Sequence, residues 1–178
     1  WLRLLYSYPA KFNDRLVETM AALPTVVPYV DMPLQHASDP ILKAMRRGVS
    51  RARTEKLLTS LRDRIPDLSV RTGFIVGFPG ETEAQFQELC DFVQEQRFDN
   101  VGVFSFSPQD ETPAAHLPDQ VPEELRQERR DQLMLLQQRI HLEKSEEQVG
   151  RVVDVLIEGV HPETELLWAG RTPNQAPE

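Results

Sequence analysis

Residues 68–82 read LSVRTGFIVGFPGET. The apolar, β-branched run over 68–78 predicts a buried strand. It ends in a Gly-rich turn, where Gly77 and Gly80 allow close approach of the backbone to a ligand. Thr82 then opens a helix. Gln85, three residues on, completes a capping box, and Phe86, Leu89, Cys90 and Val93 supply an apolar stripe. A strand, a tight turn and a helix make one unit of a parallel sheet.

The unit recurs on both sides. Upstream, residues 2–7 predict a strand that stops at Pro9. A helix capped by Asn13 follows and ends at Pro24. The stretch VVPYVDMPL holds a second strand around 29–34. SDPILKAMRRG predicts a short helix capped by Ser38 or Asp39, with Pro40 in its first turn. Arg46 and Arg47 fall in its last turn and Gly48 just beyond. Leu57, Leu58, Leu61 and Ile65 mark another helix, stopped by Pro66. Downstream, 100–106 is a fourth strand. A Pro-rich connection at 107–122 leads into a long charged helix with Leu125, Leu133, Leu136 and Ile140. RVVDVLIEG and LLWAGRT then predict two strands in a different rhythm. Four alternations predict an α/β fold with a parallel sheet, either doubly wound or part of a (β/α) barrel.

In both architectures ligands bind where the C-terminal strand ends meet their loops. Those ends carry Ser7, Tyr8, Gln35, His36, Ser38, Glu81 and Ser107. The turn at 77–82 lacks the Lys-Ser/Thr of a P-loop and the spacing of a dinucleotide fingerprint. Its free N–H groups favour an anion, and a plain βα turn explains it equally well. His36 is expected to be a hydrogen-bonded structural histidine. No Ser or Cys has an assignable base and orienting acid, so no catalytic residue is nominated. His116, His141 and His161 show no metal spacing, and Cys90 reads as a small core residue.

With 178 residues and a net charge of −8, the chain suits one domain plus a small appendage. Its one cysteine excludes an internal disulfide framework, a four-cysteine zinc site and a self-contained iron–sulfur cluster. A lone thiol fits a reducing, cytoplasmic setting. No run approaches the length of a membrane span. Charge is uneven: residues 1–80 carry 12 Lys/Arg against 7 Asp/Glu, and residues 81–178 carry 8 against 21. Lys43, Arg46, Arg47, Arg51, Arg53, Lys56, Arg62 and Arg64 concentrate over 43–64. A solvated helix face is the expected reading, with a phosphate or acidic partner as the other. The acidic half argues against nucleic acid as the dominant partner.

Four segments in order carry a family resemblance: WLRLLYSYP (1–9), VPYVDMPLQHASDPILKAMRRG (27–48), RTGFIVGFPGETEAQF (71–86) and FSPQDETPAAHLPDQVPEE (106–124). Together they resemble the methylthiotransferase branch of the radical S-adenosylmethionine (SAM) enzymes. PLQHASD is most similar to the RimO type, which modifies an aspartate side chain of a small-subunit ribosomal protein. Relatives that act on tRNA usually read Q-S-G-S-D there. The resemblance implies an open, partial TIM-like (β/α) barrel over 1–145 and the start of a TRAM-type β domain over 146–178. It also implies that the C-x-x-x-C-x-x-C signature and a second cluster's cysteines precede Trp1. The chain is then expected to be a C-terminal fragment, inactive alone, with no metal ligand of its own.

The cofactors implied by the resemblance are SAM and two [4Fe-4S] clusters. The implied partners are the ribosomal protein as substrate and a reduced electron donor, with no membrane. Gln35 and Arg47, twelve residues apart, match positions that contact SAM. Chemically, an amide suits a ribose and a guanidinium suits a carboxylate. Gly73, Ile75 and Gly77 match the G-x-I-x-G turn at the adenine edge. Many relatives carry Asp or Thr where Gly73 stands, and an acid where Tyr6 stands. The competing readings are a tRNA methylthiotransferase and a non-catalytic module that docks a partner through the basic 43–64 face or the β extension.

Overall fold

The computed structural model describes residues 1–175. The elements in chain order are β1 (Leu2–Leu4), α1 (Asp14–Ala22), β2 (Val26–Asp31), α2 (Asp39–Ala44), α3 (Arg51–Arg64), β3 (Ser69–Val76), α4 (Glu83–Gln96), β4 (Asn100–Ser105), α5 (Glu123–Glu146), β5 (Leu156–Val160) and β6 (Trp168–Arg171). The first four strands form one sheet in the order β1-β2-β3-β4, every pair parallel.

The helices pack on one face of the sheet. Val70, Phe74 and Val76 of β3, Val30 of β2 and Val103 of β4 form a single core with Val17 and Met20 of α1, Leu58 and Leu61 of α3, Phe86, Leu89, Phe92 and Val93 of α4, and Leu133 and Ile140 of α5. Along β3 the alternate residues Arg71, Gly73 and Ile75 stay half-buried on the opposite face. A doubly wound sheet would bury both faces. The opposite face is buried at Val27, Tyr29 and Asp31 of β2 but stays partly open along β3, in keeping with an arc of barrel wall.

Capping sets several boundaries. Thr82 and Gln85 form the expected capping box at the start of α4. Asn13 and Ser50 cap α1 and α3 through their side-chain oxygens. Two expectations are corrected. The first strand is only three residues long, because Tyr6 takes φ +53 and breaks the ladder. Its course is kept by the Ser7 N–H, which donates to the Asp31 carbonyl at 2.8 Å. α2 stops at Ala44, and Arg46 rather than Gly48 takes the left-handed position beyond it, at φ +57. The Arg47 N–H bonds the Leu42 carbonyl at 2.8 Å and the Arg46 N–H bonds Lys43 at 3.0 Å, a Schellman closure. Arg47 therefore lies outside the helix, where its side chain can turn back toward the sheet.

Part of the basic cluster is interlocked. Arg51 pairs with Glu55 at 2.7 Å and with Glu95 of α4 at 3.0 Å. Arg62 donates to Gln96 at 2.8 Å and Arg64 pairs with Asp14 of α1 at 3.0 Å. Much of that charge fastens α3 to its neighbours.

β5 and β6 form an antiparallel hairpin, shorter than the two runs expected. The following turn sits against the N-terminal end of the sheet, where the Arg3 guanidinium donates to the Thr172 carbonyl at 3.2 Å and the Ser69 hydroxyl to that of Asn174 at 3.1 Å. The last three residues of the proposed 146–178 unit lie outside the described residues. No helix among the described residues is long and apolar enough to cross a membrane.

Candidate functional site

The C-terminal ends of β2 and β3 are joined by main chain. Gln35, at φ +75, forms an isolated bridge with Phe74. Its N–H donates to the Gly73 carbonyl at 2.9 Å, and its own carbonyl accepts the Ile75 N–H at 2.8 Å. Three of the five expected binding residues thus stand side by side at the C-terminal strand ends. The left-handed backbone turns the chain sharply here, so the next residue, His36, points into the interior and is buried.

His36 and Glu81 lock the two loops together. The His36 Nδ1 accepts the Ser38 N–H at 2.9 Å, which leaves the ring proton on Nε2. That proton faces the Glu81 Oε2 at 3.1 Å, and the same oxygen accepts the Gly77 N–H at 2.9 Å. Glu81 Oε1 receives the Arg129 guanidinium at 2.8 Å. All three side chains are buried. His36 is therefore the satisfied structural histidine expected from the sequence, and Gly77 is tied to the loop that carries Gln35.

Arg47 stands at the rim. One guanidinium N–H donates to the Pro33 carbonyl at 2.9 Å, and the group lies 4.7 Å from the Tyr8 ring centre. The Tyr8 hydroxyl in turn accepts the Gly48 N–H at 3.2 Å. Arg47 reaches the segment just before Gln35, while the other N–H groups of its fork are not used by this bond.

Three contributors were not picked out from the sequence. Arg129 sits four residues before Leu133, on the buried stripe of α5, a position where a charge needs a partner. Arg126 lies across Gly77 and donates to the Phe106 carbonyl. Phe104 is 63% exposed and lies over Gly102, the register partner of Gly73. The small-residue pair Gly73–Gly102 was the available signal: two adjacent strands without side chains open a flat floor on the sheet.

Other candidates stay apart. Ser107 is exposed and meets only Gln109 at 3.2 Å among its described side-chain contacts. Among the described residues no group of three or more His, Cys, Asp or Glu could hold a metal ion. Cys90 is half-buried, and desolvation followed by the charges of Asp91, Glu83 and Glu81 pushes its thiol up to about 11. Alkylation of Cys90 at pH 8 is accordingly expected only after unfolding. With the folded value raised above the ordinary one, its contribution to stability is complete below pH 9 and lost as pH rises through about 11. Iodoacetamide labelling with and without denaturant, read by intact mass, checks the first point.

Two clefts, each about 620 Å3, lie at the opposite end of the sheet beside the β5–β6 hairpin. Their charges are paired with one another, Lys144 with Asp99 at 2.5 Å and Arg171 with Glu158 at 2.8 Å. They hold none of the residues that join the strand ends.

A model of the radical SAM superfamily matches residues 4–93, from β1 through most of α4. The chain belongs to the radical SAM superfamily. The radical SAM arc ends with α4 in that match, and β4 and α5 continue the same sheet and core. Two solved structures resemble it at low sequence identity. Coproporphyrinogen III oxidase (HemN) from Escherichia coli, described as a radical SAM enzyme, superposes with a TM-score of 0.59 at 17% identity, over 74% of this chain and 30% of that one. Methylornithine synthase (PylB) gives 0.55 at 15%, over 75% and 38%. Among curated relatives, the ribosomal protein uS12 methylthiotransferase RimO of Anaeromyxobacter sp. (strain Fw109-5) is 52% identical over the whole chain. The RimO of Synechococcus sp. (strain JA-2-3B'a(2-13)) is 51% identical, again over the whole chain. The chain spans 38% and 37% of their lengths.

Proposed function

We propose that this chain supplies the later barrel strands, and part of the SAM-binding site, of a methylthiotransferase that modifies an aspartate side chain of ribosomal protein uS12. The observation that carries the reading is the main-chain stitching of Gln35 to Gly73 and Ile75. It sets Gln35 beside Gly73 and Ile75 at the C-terminal end of a radical SAM sheet. Identity of about half over the full chain to enzymes named for uS12 modification supports the substrate.

The residues present fit SAM. The Phe104 ring lies over Gly102 and close to Gly73 and is itself exposed, a match for a planar base. The Gln35 amide can both donate to and accept from ribose hydroxyls. The Arg47 fork suits the ligand's carboxylate. When bound, SAM with its reduced cluster supplies the radical chemistry. The chain's own residues bind, orient and wall off. The open face leaves side access, as a macromolecular substrate requires. The reading carries with it two [4Fe-4S] clusters held outside this chain, a reduced electron donor, a TRAM-type β domain beginning near residue 146, and a cytoplasmic protein.

The test is binding of S-adenosylhomocysteine to the complete protein by calorimetry. Arg47→Ala is expected to weaken it about tenfold or more, the worth of a charged hydrogen bond. Gln35→Asn tolerates the left-handed backbone but withdraws the amide, and is expected to cost about fivefold. Unchanged affinity in both variants removes the assignment.

A further inference from the structure

We infer that Arg129, on α5, is a positioning residue for the ligand loops at the ends of β2 and β3. The inference rests on the SAM reading above and extends it to α5.

The guanidinium is 3% exposed. It donates to the Glu81 carboxylate at 2.8 Å, to the Glu81 carbonyl at 3.1 Å and to Glu83 Oε2 at 3.1 Å. Its plane also lies against Phe86, 5.4 Å from the ring centre. Four contacts from one side chain hold a single orientation of the turn that begins α4.

The consequence passes through one carboxylate. Glu81 Oε1 is taken by Arg129, so Oε2 is left for the Gly77 N–H and the His36 Nε2–H. Those two bonds set the relative height of the loop after β3 and the loop after β2. Through His36 Nδ1 and the Ser38 N–H, they also fix the residue that follows Gln35. Without Arg129, a buried carboxylate keeps neutral donors only. It then turns outward toward water. That movement releases Gly77 and His36, and with them the alignment of Gln35 with Gly73 and Ile75.

The experiment compares Arg129→Met and Arg129→Lys with the parent in the complete protein. Two readouts are taken: S-adenosylhomocysteine affinity by calorimetry, and the imidazole nitrogen signals of His36 by NMR. The parent is expected to show the Nε2–H tautomer. Arg129→Met is expected to bind about tenfold more weakly and to lose that fixed tautomer. Arg129→Lys, which keeps the charge but not the fork, is expected to recover part of both. If Arg129→Met does not fold, Arg129→Lys carries the test through a smaller affinity loss and an altered His36 signal. Parent-like affinity and an unchanged His36 tautomer in a folded variant overturn the inference. Absence of binding by the parent itself refutes the SAM reading instead. The His36 signal then still decides whether Arg129 orients the loop.

Discussion

Glu81→Leu is expected to lower the stability of the fold by about 3–5 kcal/mol, the cost of leaving a buried charge without its partner. Arg129 would be that charge: its guanidinium is buried in the core side of α5, and Glu81 supplies its buried partner oxygen at 2.8 Å. Glu83, the second carboxylate on Arg129, is 75% exposed in its side chain and is held in water rather than in the core. An exposed pair of that kind contributes about 1 kcal/mol or less. Two more donors, the Gly77 N–H and the His36 Nε2–H, would lose their acceptor as well. The double variant Glu81→Leu/Arg129→Leu removes both charges and is expected to recover part of the loss, since a buried pair is often replaceable by apolar groups. Recovery stays incomplete, because the two orphaned donors still cost about 1–3 kcal/mol each. Urea unfolding of the four species closes the cycle. Equal stability of Glu81→Leu and the parent would contradict a buried network.

Gly77→Ala is the second large effect. The residue sits at φ +71, where an L side chain costs about 1–2 kcal/mol. A Cβ there would also lie 2.2 Å from Cγ, 2.9 Å from Cβ and 3.0 Å from Cδ of Arg126. Arg126 cannot withdraw without giving up its bond to the Phe106 carbonyl. Overpacking adds about 1–3 kcal/mol to the backbone strain. Gly80→Ala is the internal control. Its φ is +82, but nothing lies within 4 Å of its Cβ position. It is expected to lose only the strain, about 1–2 kcal/mol. Thermal unfolding of both variants separates the clash from the strain, and equal losses would contradict the Arg126 contact.

The layers of the fold were legible where local chemistry repeats. Strand-to-helix alternation, the Thr82–Gln85 box and the apolar stripes of α3 and α4 follow from spacing alone. The end of α2 was not legible. Gly48 offers the usual left-handed residue, yet the Schellman closure is made two residues earlier by Arg46, because Arg47 is drawn back to Pro33 and Tyr8. That tertiary pull is invisible in the stretch itself. Likewise the buried face of α5 carries Arg129 and Gln137 beside Leu133 and Ile140. A pattern search for apolar residues passes over both polar ones. Each is explained only by a distant partner, Glu81 for Arg129 and the Phe98 carbonyl, at 2.9 Å, for Gln137. The proposed SAM contacts, Gln35, Arg47, Gly73, Ile75 and Gly77, came from the family resemblance. The lock that aligns the loops did not, because it joins residues 36, 81 and 129 across three elements.

The most direct measurement is a crystal structure of the complete protein with S-adenosylhomocysteine bound. The account predicts the nucleoside at the C-terminal strand ends, with its ribose within hydrogen-bonding distance of the Gln35 amide and its base against Gly73 and Ile75. A nucleoside bound instead in the cleft between α5 and the β5–β6 hairpin, with Gln35 untouched, would contradict it.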